Sequence, residues 1–306
     1  MVLPRLFPVK ERATQVTDSR RLFAYRSPVT APLQGLRFSV AGPGKVGASL
    51  ARWAAAAGAE LVSVAGRRRG RAAWRGGPRR ELLSKLDTAG QDLLLVAVGD
   101  GVLAGVAATL ARRPQARVVL HTSGSLDASV LAPLRTAGSA VGSLHPLKAF
   151  PRPLPDPAEA RGVFFAVDGD PAARDLAGRL AAAWGGAAAE VPPAARPLYH
   201  FAATLAAGGV TTLLAAAAEI AGLLGLPDEV ARGYVELARG AVAAAGRTLE
   251  EGRPLASAIT GPNARGDRAT LTSHLKALHR LAPGKLPLAM FMALETLNQT
   301  GQGEEG

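Results

Sequence analysis

Cysteine is absent from this chain of 306 residues. Its absence excludes disulfide bonds, thiolate catalysis and cysteine-based metal sites, and we predict no metal site. Aromatic residues make up only 5% of the chain and charged residues 20%, whereas hydrophobic residues reach 48%. This balance is typical of a globular protein, and the length is sufficient for two domains that each bury a core.

Long apolar segments are also missing. No run reaches the roughly 18 consecutive apolar residues that a membrane-spanning helix needs, and the nearest, Phe201 to Leu214, is interrupted by Gly208 and Gly209. The N-terminus has no apolar signal-peptide core, and residues 1–33 mix Arg, Pro, Thr and Ser without periodicity. We therefore predict a cytoplasmic protein without membrane contact. We expect residues 1–33 to be a disordered extension or the product of a wrongly chosen start codon.

The positive charge is concentrated in two segments. The formal net charge is +12, and residues 1–35 carry six Lys or Arg against two acidic residues, whereas residues 67–80 add seven arginines and no acid. The rest of the chain is nearly balanced, and no zinc-ligand cluster or aromatic stacking motif accompanies the charge. Nucleic-acid binding is therefore a minor alternative, and the expected partner is a small-molecule substrate.

A glycine motif lies between a β-prone run and an alanine-rich helical pattern. Residues 36–47 read LRFSVAGPGKVG, and the helical pattern follows over residues 48–57. Gly42 permits the tight turn, Gly44 allows a pyrophosphate to approach the backbone, and Gly47 allows close packing of the helix on the sheet. The alternative is a glycine-rich turn without a ligand. We assign to cofactor binding Gly42, Gly44, Lys45, Val46 and Gly47, together with Val98 and Gly99 after a later strand.

The second predicted strand, Glu60 to Ala65, indicates which dinucleotide would bind. An NAD site usually places an acidic residue about 20 positions after the glycines, but this chain has no acid between Glu60 and Glu81. A guanidinium can bind a 2′-phosphate that a carboxylate would repel. We therefore predict NADP(H), with Arg67 and Arg68 as ligands of the phosphate; the other arginines up to Arg80 are interpreted as a solvated loop.

Strand and helix patterns continue to alternate along the chain. Further strands are predicted at 92–98, 117–121, 140–144, 163–167 and 187–191, with helices at 101–112, 126–137 and 171–184. Beyond residue 192 only helices are predicted, at 197–224, 228–247, 268–281 and 286–297. The fold class is therefore α/β, a doubly wound, mostly parallel Rossmann sheet over residues 34–192, followed by an all-helical domain over residues 193–300.

Candidate chemical groups cluster at the ends of two predicted strands and at the start of the first long helix beyond residue 192. Three of the five histidines lie in the segments HTSGS at 121–125, HPLKAF at 145–150 and YH at 199–200, and TGPNARGD follows at 260–267. Histidine can transfer a proton near neutral pH, as carbonyl or imine reduction requires. Candidate catalytic residues are His200, His145, Ser123 and Tyr199, and candidate substrate ligands are Lys148, Arg265 and His121. The alternatives are a structural role for each histidine, an ion pair for Arg265 and an N-cap role for Asp267.

Taken in order, these five motifs resemble a bacterial family that pairs a Rossmann-like NADP-binding domain with a helical domain of unknown function, DUF2520. The chain is more distantly similar to pyrroline-5-carboxylate reductase and 6-phosphogluconate dehydrogenase. The resemblance covers residues 36–297 and implies an NADP-dependent oxidoreductase that forms a homodimer through its helical domain. It implies no settled catalytic residue and no particular substrate.

The chain departs from this family at one place. The resemblance implies Ser-Asn where the sequence has Gly208-Gly209, and no lysine or asparagine occurs from Tyr199 to Gly225. In related dehydrogenases an amide or lysine on this helix orients the substrate. The other motifs support an enzyme that transfers hydride to or from a small, carboxylate-bearing carbonyl, imine or hydroxy compound, and the glycine pair counts against catalysis but not against cofactor binding. A non-catalytic dinucleotide sensor or regulatory protein is the alternative.

Overall fold

The computed structural model describes residues 33–300 except 69, 71–76 and 79. The predicted extension therefore lies outside the described residues, apart from Leu33. This residue is fully buried in the core, and its backbone N–H donates to the carbonyl oxygen of Ala57. Leu33 thus belongs to the folded domain and not to an extension, which corrects that boundary by one residue.

Eight strands form one sheet in the order β3-β2-β1-β4-β5-β6-β7-β8. Neighbouring strands are parallel except β6 and β7, which are antiparallel. The strands are β1 (Arg37–Ala41), β2 (Glu60–Gly66), β3 (Arg80–Leu82), β4 (Leu93–Val96), β5 (Val118–His121), β6 (Ala140–Pro146), β7 (Phe164–Gly169) and β8 (Ala187–Glu190). The predicted fold class is confirmed; the short β3 and the antiparallel pair are features that the sequence patterns do not predict.

Helices cover both faces of this sheet because the central strands are apolar on both sides. In β4, Leu93 and Leu95 join one core cluster whereas Leu94 and Val96 join the other. The helices of this part are α1 (Lys45–Ala56), α2 (Asp100–Leu110), α3 (Ala132–Thr136) and α4 (Pro171–Ala183). Side chains of α1 and α4 pack in the first cluster and those of α2 and α3 in the second, as expected for a doubly wound sheet.

The strand order reverses at β1. The chain passes from β1 outward through β2 and β3, and then returns to place β4 on the other side of β1. In open α/β sheets, ligands bind outside the carboxyl ends of the strands at such a reversal point. The segments that follow β1 and β4 are therefore where a ligand is expected.

Contacts divide the chain into two compact units between Ala203 and Thr204. The remaining helices are α5 (Arg196–Thr204), α6 (Val210–Leu223), α7 (Glu229–Glu250), α8 (Arg268–Leu281) and α9 (Leu286–Thr300). Residues Leu205–Gly209 between α5 and α6 form a π-helical turn, which contains the Gly208-Gly209 pair. Such turns occur frequently at functional sites. The predicted domain boundary at residue 192 stays a prediction.

Among the described residues, one helical segment is long and apolar enough to cross a membrane by length and composition. It runs from Pro193 to Leu223, its mean hydropathy reaches 1.7, and none of its most apolar stretch is buried. A single helix of this kind is weak evidence for a membrane span, since a core helix of a soluble protein meets the same criteria.

Candidate functional site

The glycine turn lies at the point where the strand order reverses. Gly42 follows β1 with a φ of +93°, and a Cβ atom there would lie 2.5 Å from the carbonyl oxygen of Ala97, directly after β4. A Cβ atom at Gly47 would collide with the carbonyl oxygen of Gly42. Any larger residue would therefore force apart the turn, the helix and the neighbouring strand. Close packing thus explains why both positions are glycine.

The N-terminus of α1 carries no internal counter-charge. Gly44 is its N-cap, makes no side-chain capping hydrogen bond and has open space where a Cβ atom would lie. No acidic residue occurs in the first turn, and Lys45 is exposed beside the half-buried Val46. Val98 and Gly99 follow β4 at the same edge of the sheet. The unsatisfied N–H groups of this helix start suit an anion such as a pyrophosphate.

Arg67 and Arg68 directly follow β2, and both are exposed. The end of β2 lies beside the glycine turn, since a Cβ atom at Gly66 would be 3.5 Å from Cδ of Pro43. Arg69, Arg71, Arg75 and Arg79 lie outside the described residues. The arginine pair therefore starts at the place where a bound dinucleotide would present its adenosine ribose.

The structure brings together three of the four predicted catalytic residues. Nδ1 of His145, near the end of β6, lies 2.9 Å from the hydroxyl of Tyr199 on α5, and the His145 and His200 ring centroids are 5.9 Å apart. Gly124 is buried against these rings: a Cβ atom there would lie 2.5 Å from Nδ1 of His200 and 2.7 Å from Nε2 of His145. We refer to His145, Tyr199, His200 and Gly124 as the histidine cluster.

The first two side chains of this cluster are neutral at physiological pH. Burial, followed by the nearby His200 and Arg196, lowers the pKa of His145 to about 4. Burial raises the pKa of Tyr199 to about 12, although Arg196 opposes the shift. The hydrogen bond between them therefore joins a neutral phenol to a neutral imidazole. In the resting state neither group carries a buried charge, and the hydrogen bond between them is a route along which a proton can move.

His121 has a structural position. It is fully buried, its Nδ1 accepts a hydrogen bond from the Ser123 N–H, and its Nε2 lies 3.1 Å from the carbonyl oxygen of Asp127. Burial lowers its pKa to about 4. With both ring nitrogens engaged inside the protein, His121 does not fit the expected substrate contact; it holds the loop after β5.

A hydrogen bond between Ser125 of the same loop and Asp100 of α2 is not predicted by the sequence. The hydroxyl of Ser123 is buried and accepts a hydrogen bond from the Leu126 N–H, whereas the half-exposed Ser125 donates to the Asp100 carboxylate at 2.7 Å. Asp100 begins α2 directly after Gly99. Ser125 and Asp100 thus connect the segment after β4 to the histidine cluster, and their proximity to predicted residues was the available signal.

The predicted anion ligands have different surroundings. Nζ of Lys148 lies 3.3 Å from Glu159 Oε2, so an ion pair offsets its charge. In the second unit, Arg265 is exposed. Asp267 is the N-cap of α8, where its carboxylate accepts from the N–H and the hydroxyl of Thr270; the N-cap alternative is therefore confirmed. Within the described part of the chain, no three His, Asp or Glu side chains are grouped as metal ligands.

Two family models match the chain. A Rossmann-like domain matches residues 27–146, and a domain of unknown function, DUF2520, matches residues 163–293. Both domains are those that the sequence motifs predict, in the predicted order. Among curated proteins, none matches this sequence.

Solved structures resemble the fold over most of its length. Protein TM1727 from Thermotoga maritima is 18% identical, with a TM-score of 0.66, over 87% of this chain and 98% of that one. A Plasmodium falciparum pyrroline carboxylate reductase with NADP bound is 12% identical (TM-score 0.55; 89% and 99% of the chains). A reductive aminase from Aspergillus terreus in complex with NADPH and ethyl-5-oxohexanoate is 17% identical (TM-score 0.56; 88% and 95%). At these identities the likeness shows the fold.

Proposed function

We propose that this chain, which joins a Rossmann-like domain to a DUF2520 domain, is an NADP(H)-dependent oxidoreductase. It transfers a hydride to or from a small carbonyl, imine or hydroxy compound that carries a carboxylate. One observation carries the proposal: the uncapped glycine turn after β1 and the histidine cluster after β5 and β6 lie at the same edge of one sheet. Two of the similar structures are reductases or aminases named with NADP or NADPH.

The cofactor fits the residues at the strand-order reversal. Gly42, Gly44 and Gly47 shape the turn, and the N–H groups of α1 from Lys45 and Val46 onward bind the pyrophosphate. Val98 and Gly99 line the path toward the reacting end. When bound, the nicotinamide supplies or accepts the hydride; the protein supplies position and protons.

The arginine pair selects NADPH over NADH. Arg67 and Arg68 bind the 2′-phosphate, and no carboxylate follows β2 to repel it. Replacing both arginines by alanine should weaken NADPH binding by about 100-fold or more, since charge-assisted hydrogen bonds contribute roughly 1.5–3 kcal/mol each, and should leave NADH binding nearly unchanged. Nicotinamide fluorescence measures both affinities.

A matched control is the pair Arg112 and Arg113 after α2, which is also exposed and lies toward the opposite edge of the sheet. Its double alanine variant removes the same charge and should leave NADPH affinity unchanged. Equal loss of NADPH and NADH affinity in the Arg67/Arg68 variant would refute the 2′-phosphate assignment.

The histidine cluster supplies the proton that accompanies hydride transfer. His200 donates it, because His145, which is hydrogen-bonded to the Tyr199 hydroxyl, is neutral at physiological pH, and the hydroxyl of Ser123 polarises the reacting oxygen. Arg265 holds the substrate carboxylate. His200→Ala should reduce turnover about 100-fold or more with unchanged NADPH affinity; unchanged turnover would remove His200 from the mechanism.

The test of the function itself is a titration with NADPH and NADH, followed by a screen of small oxo-acids and imines for oxidation of the cofactor. Selective NADPH binding with turnover supports the enzyme. Tight binding without turnover of any compound favours a dinucleotide sensor, an alternative supported by the Gly208-Gly209 pair, which has no side chain to orient a substrate. If neither dinucleotide binds, both proposals fail.

The protein acts as a cytoplasmic homodimer, formed through the helical unit. Only Ala221, Thr248, Ala282 and Thr296 are buried within residues 204–300, all of which are described. Large apolar side chains there are exposed, among them Leu237, Val242, Met290, Phe291 and Leu294, and an apolar cavity of about 590 Å³ opens between α6, α8 and α9. A unit with so small a core needs an apolar partner, and a second copy offers the same surface.

The dimer is tested by sedimentation of the purified full chain. Leu237→Glu combined with Phe291→Glu should reduce the mass to that of a monomer or abolish folding of the helical unit. Val102→Glu, at an equally exposed apolar position on α2, should leave the mass unchanged. A wild-type monomer in buffer, or recovery only with detergent, would contradict the dimer, and the latter result would favour membrane contact by Pro193–Leu223.

A further inference from the structure

An arginine of α5 is completely buried next to the histidine cluster. Arg196 has no solvent exposure, and its Nε lies 3.0 Å from Oδ2 of Asp168 on β7, which is itself only 2% exposed. Burying two charges carries a large desolvation penalty, and charged side chains are almost never fully buried unless they are paired. Packing alone therefore does not explain why this buried position holds an ion pair and not two apolar side chains.

The guanidinium of Arg196 joins four segments of the first unit. Its Nη1 donates to the carbonyl oxygens of Ser123 and Leu126, at 3.2 Å and 3.1 Å, and its Nη2 donates to the hydroxyl of Ser143. With Asp168, these contacts connect α5 to the loop after β5, to β6 and to β7. Arginine suits such a role because its planar fork presents several donors in fixed directions.

Arg196 lies on the same helix as two residues of the histidine cluster. Tyr199 and His200 follow Arg196 by three and four positions, so all three side chains share one face of α5. Fixing Arg196 therefore fixes the rotation of the helix that presents Tyr199 and His200.

The contacts that Arg196 makes with the sheet and its loops lie near the other two cluster residues, His145 and Gly124. Ser143 precedes His145 by two positions on β6, so the two side chains project from the same face of the strand, and Ser123 precedes Gly124. The contacts of Arg196 with Ser123, Leu126 and Ser143 thus lie within two residues of Gly124 or His145.

We propose that Arg196, held by Asp168, is a positioning residue for the histidine cluster. It ties α5, which carries Tyr199 and His200, to β6, which carries His145, and so sets the geometry of the His145–Tyr199 hydrogen bond. The catalytic part of this inference rests on the proposed oxidoreductase function; the positioning itself does not.

The charge of Arg196 also acts on His145. Burial is the main cause of the low His145 pKa; His200, Arg196 and His121 lower it further, and Asp100 opposes them. Removing the Arg196 charge should therefore raise the pKa of His145. This effect is measurable by NMR without any substrate.

The first test removes both charges together, so that neither is left buried alone. In the full chain, Arg196→Met with Asp168→Leu should keep NADPH affinity within about twofold and reduce kcat about 10- to 100-fold, since misplacement by about 1 Å can cost 100-fold. In a histidine NMR titration, the His145 pKa should rise. The control is Arg174→Met with Glu190→Leu, an exposed ion pair of the same unit, which should change none of these.

A milder variant covers the case in which the double variant does not fold. Ser143→Ala removes only the link to β6 and leaves the ion pair intact; it should still lower kcat and shift the His145 titration, and Arg196→Lys should lie between it and wild type. If Ser143→Ala and a folded double variant keep both wild-type kcat and the wild-type His145 titration, Arg196 only stabilises the fold and the proposal is wrong. If wild type shows no turnover but Ser143→Ala, which keeps the Arg196 charge, still shifts the His145 titration, the proposed function fails and the positioning role stands.

Discussion

Gly124 offers a sharp test of the histidine cluster, because a single methyl group at this position would enter it. A Cβ atom would lie 2.5 Å from Nδ1 of His200, and 2.7 and 2.8 Å from Nε2 and Cε1 of His145. Its backbone conformation lies outside the left-handed region, so alanine at this position adds crowding without backbone strain. The Gly124→Ala variant therefore perturbs the position of the two rings more than the fold.

The size of the effect follows from the contact distances. Ordinary van der Waals contacts of a Cβ atom begin near 3.4 Å, so each ring must retreat by roughly 0.7–0.9 Å. Overpacking of this kind costs about 1–3 kcal/mol of stability. A catalytic group displaced by about 1 Å can lose roughly 100-fold in rate. We therefore expect a folded protein with a lower melting temperature and turnover reduced about 100-fold.

The assay compares turnover, NADPH affinity and thermal melting in the same preparations. NADPH affinity should stay within about twofold, because the glycine turn after β1 is untouched. The control is Gly178→Ala in α4, where a Cβ atom meets nothing within 4 Å; it should keep turnover and gain up to about 1 kcal/mol from helix propensity. Wild-type turnover in Gly124→Ala would show that the cluster geometry does not govern the reaction.

Two further predictions concern the neutral side chains. Since the folded-state pKa values of His121 and His145 lie near 4, below the ordinary 6.5, the unfolded chain binds more protons in this range. Stability should therefore be complete above about pH 6.5 and fall by up to about 3 kcal/mol per histidine as the pH drops to 4. Thermal melting should show this loss diminished in His121→Gln and unchanged in His279→Gln at an exposed position; a pH-independent melting temperature would contradict the burial argument. Tyr199→Phe should lower turnover about 100-fold with NADPH affinity unchanged, and Tyr234→Phe in α7 is its control; equal activity in both variants would exclude the Tyr199 hydroxyl from proton transfer.

Much of the sheet is predictable because its strands are short apolar runs between turn residues. Leu93–Val96 is apolar at every position, which only a strand buried on both faces requires. Strand direction is not contained in that pattern. Parallel strands are usually joined by a crossover helix, but residues 147–163 contain only the 3₁₀ turn Pro157–Ala160, which agrees with the antiparallel direction of β7. The three residues of β3 are too few to show any period.

The site is predictable in its parts more than in its connections. His145 could be named because it lies where a strand ends, and Tyr199 and His200 because histidines are few and this pair lies at the start of a long helix. Arg196 could not be named, since nothing in the sequence distinguishes it from the other arginines. Its partner Asp168 lies 28 positions earlier on β7, next to the edge strand β8. Periodicity describes one element at a time, whereas a buried ion pair depends on where two elements meet.

The departure at Gly208-Gly209 can be separated from the rest of the site by its location. The glycine turn, the arginine pair and the histidine cluster all belong to the unit that ends at Ala203, whereas the glycine pair belongs to the helical unit. The glycine pair has no side chain that could orient a substrate, whereas the residues proposed for anion binding and proton transfer lie in the other unit. We therefore expect the glycine pair to affect which substrates are accepted and not the binding of NADPH. A protein altered in this way should bind NADPH like an intact enzyme and differ in which compounds oxidise it, so the breadth of the substrate screen decides between enzyme and sensor.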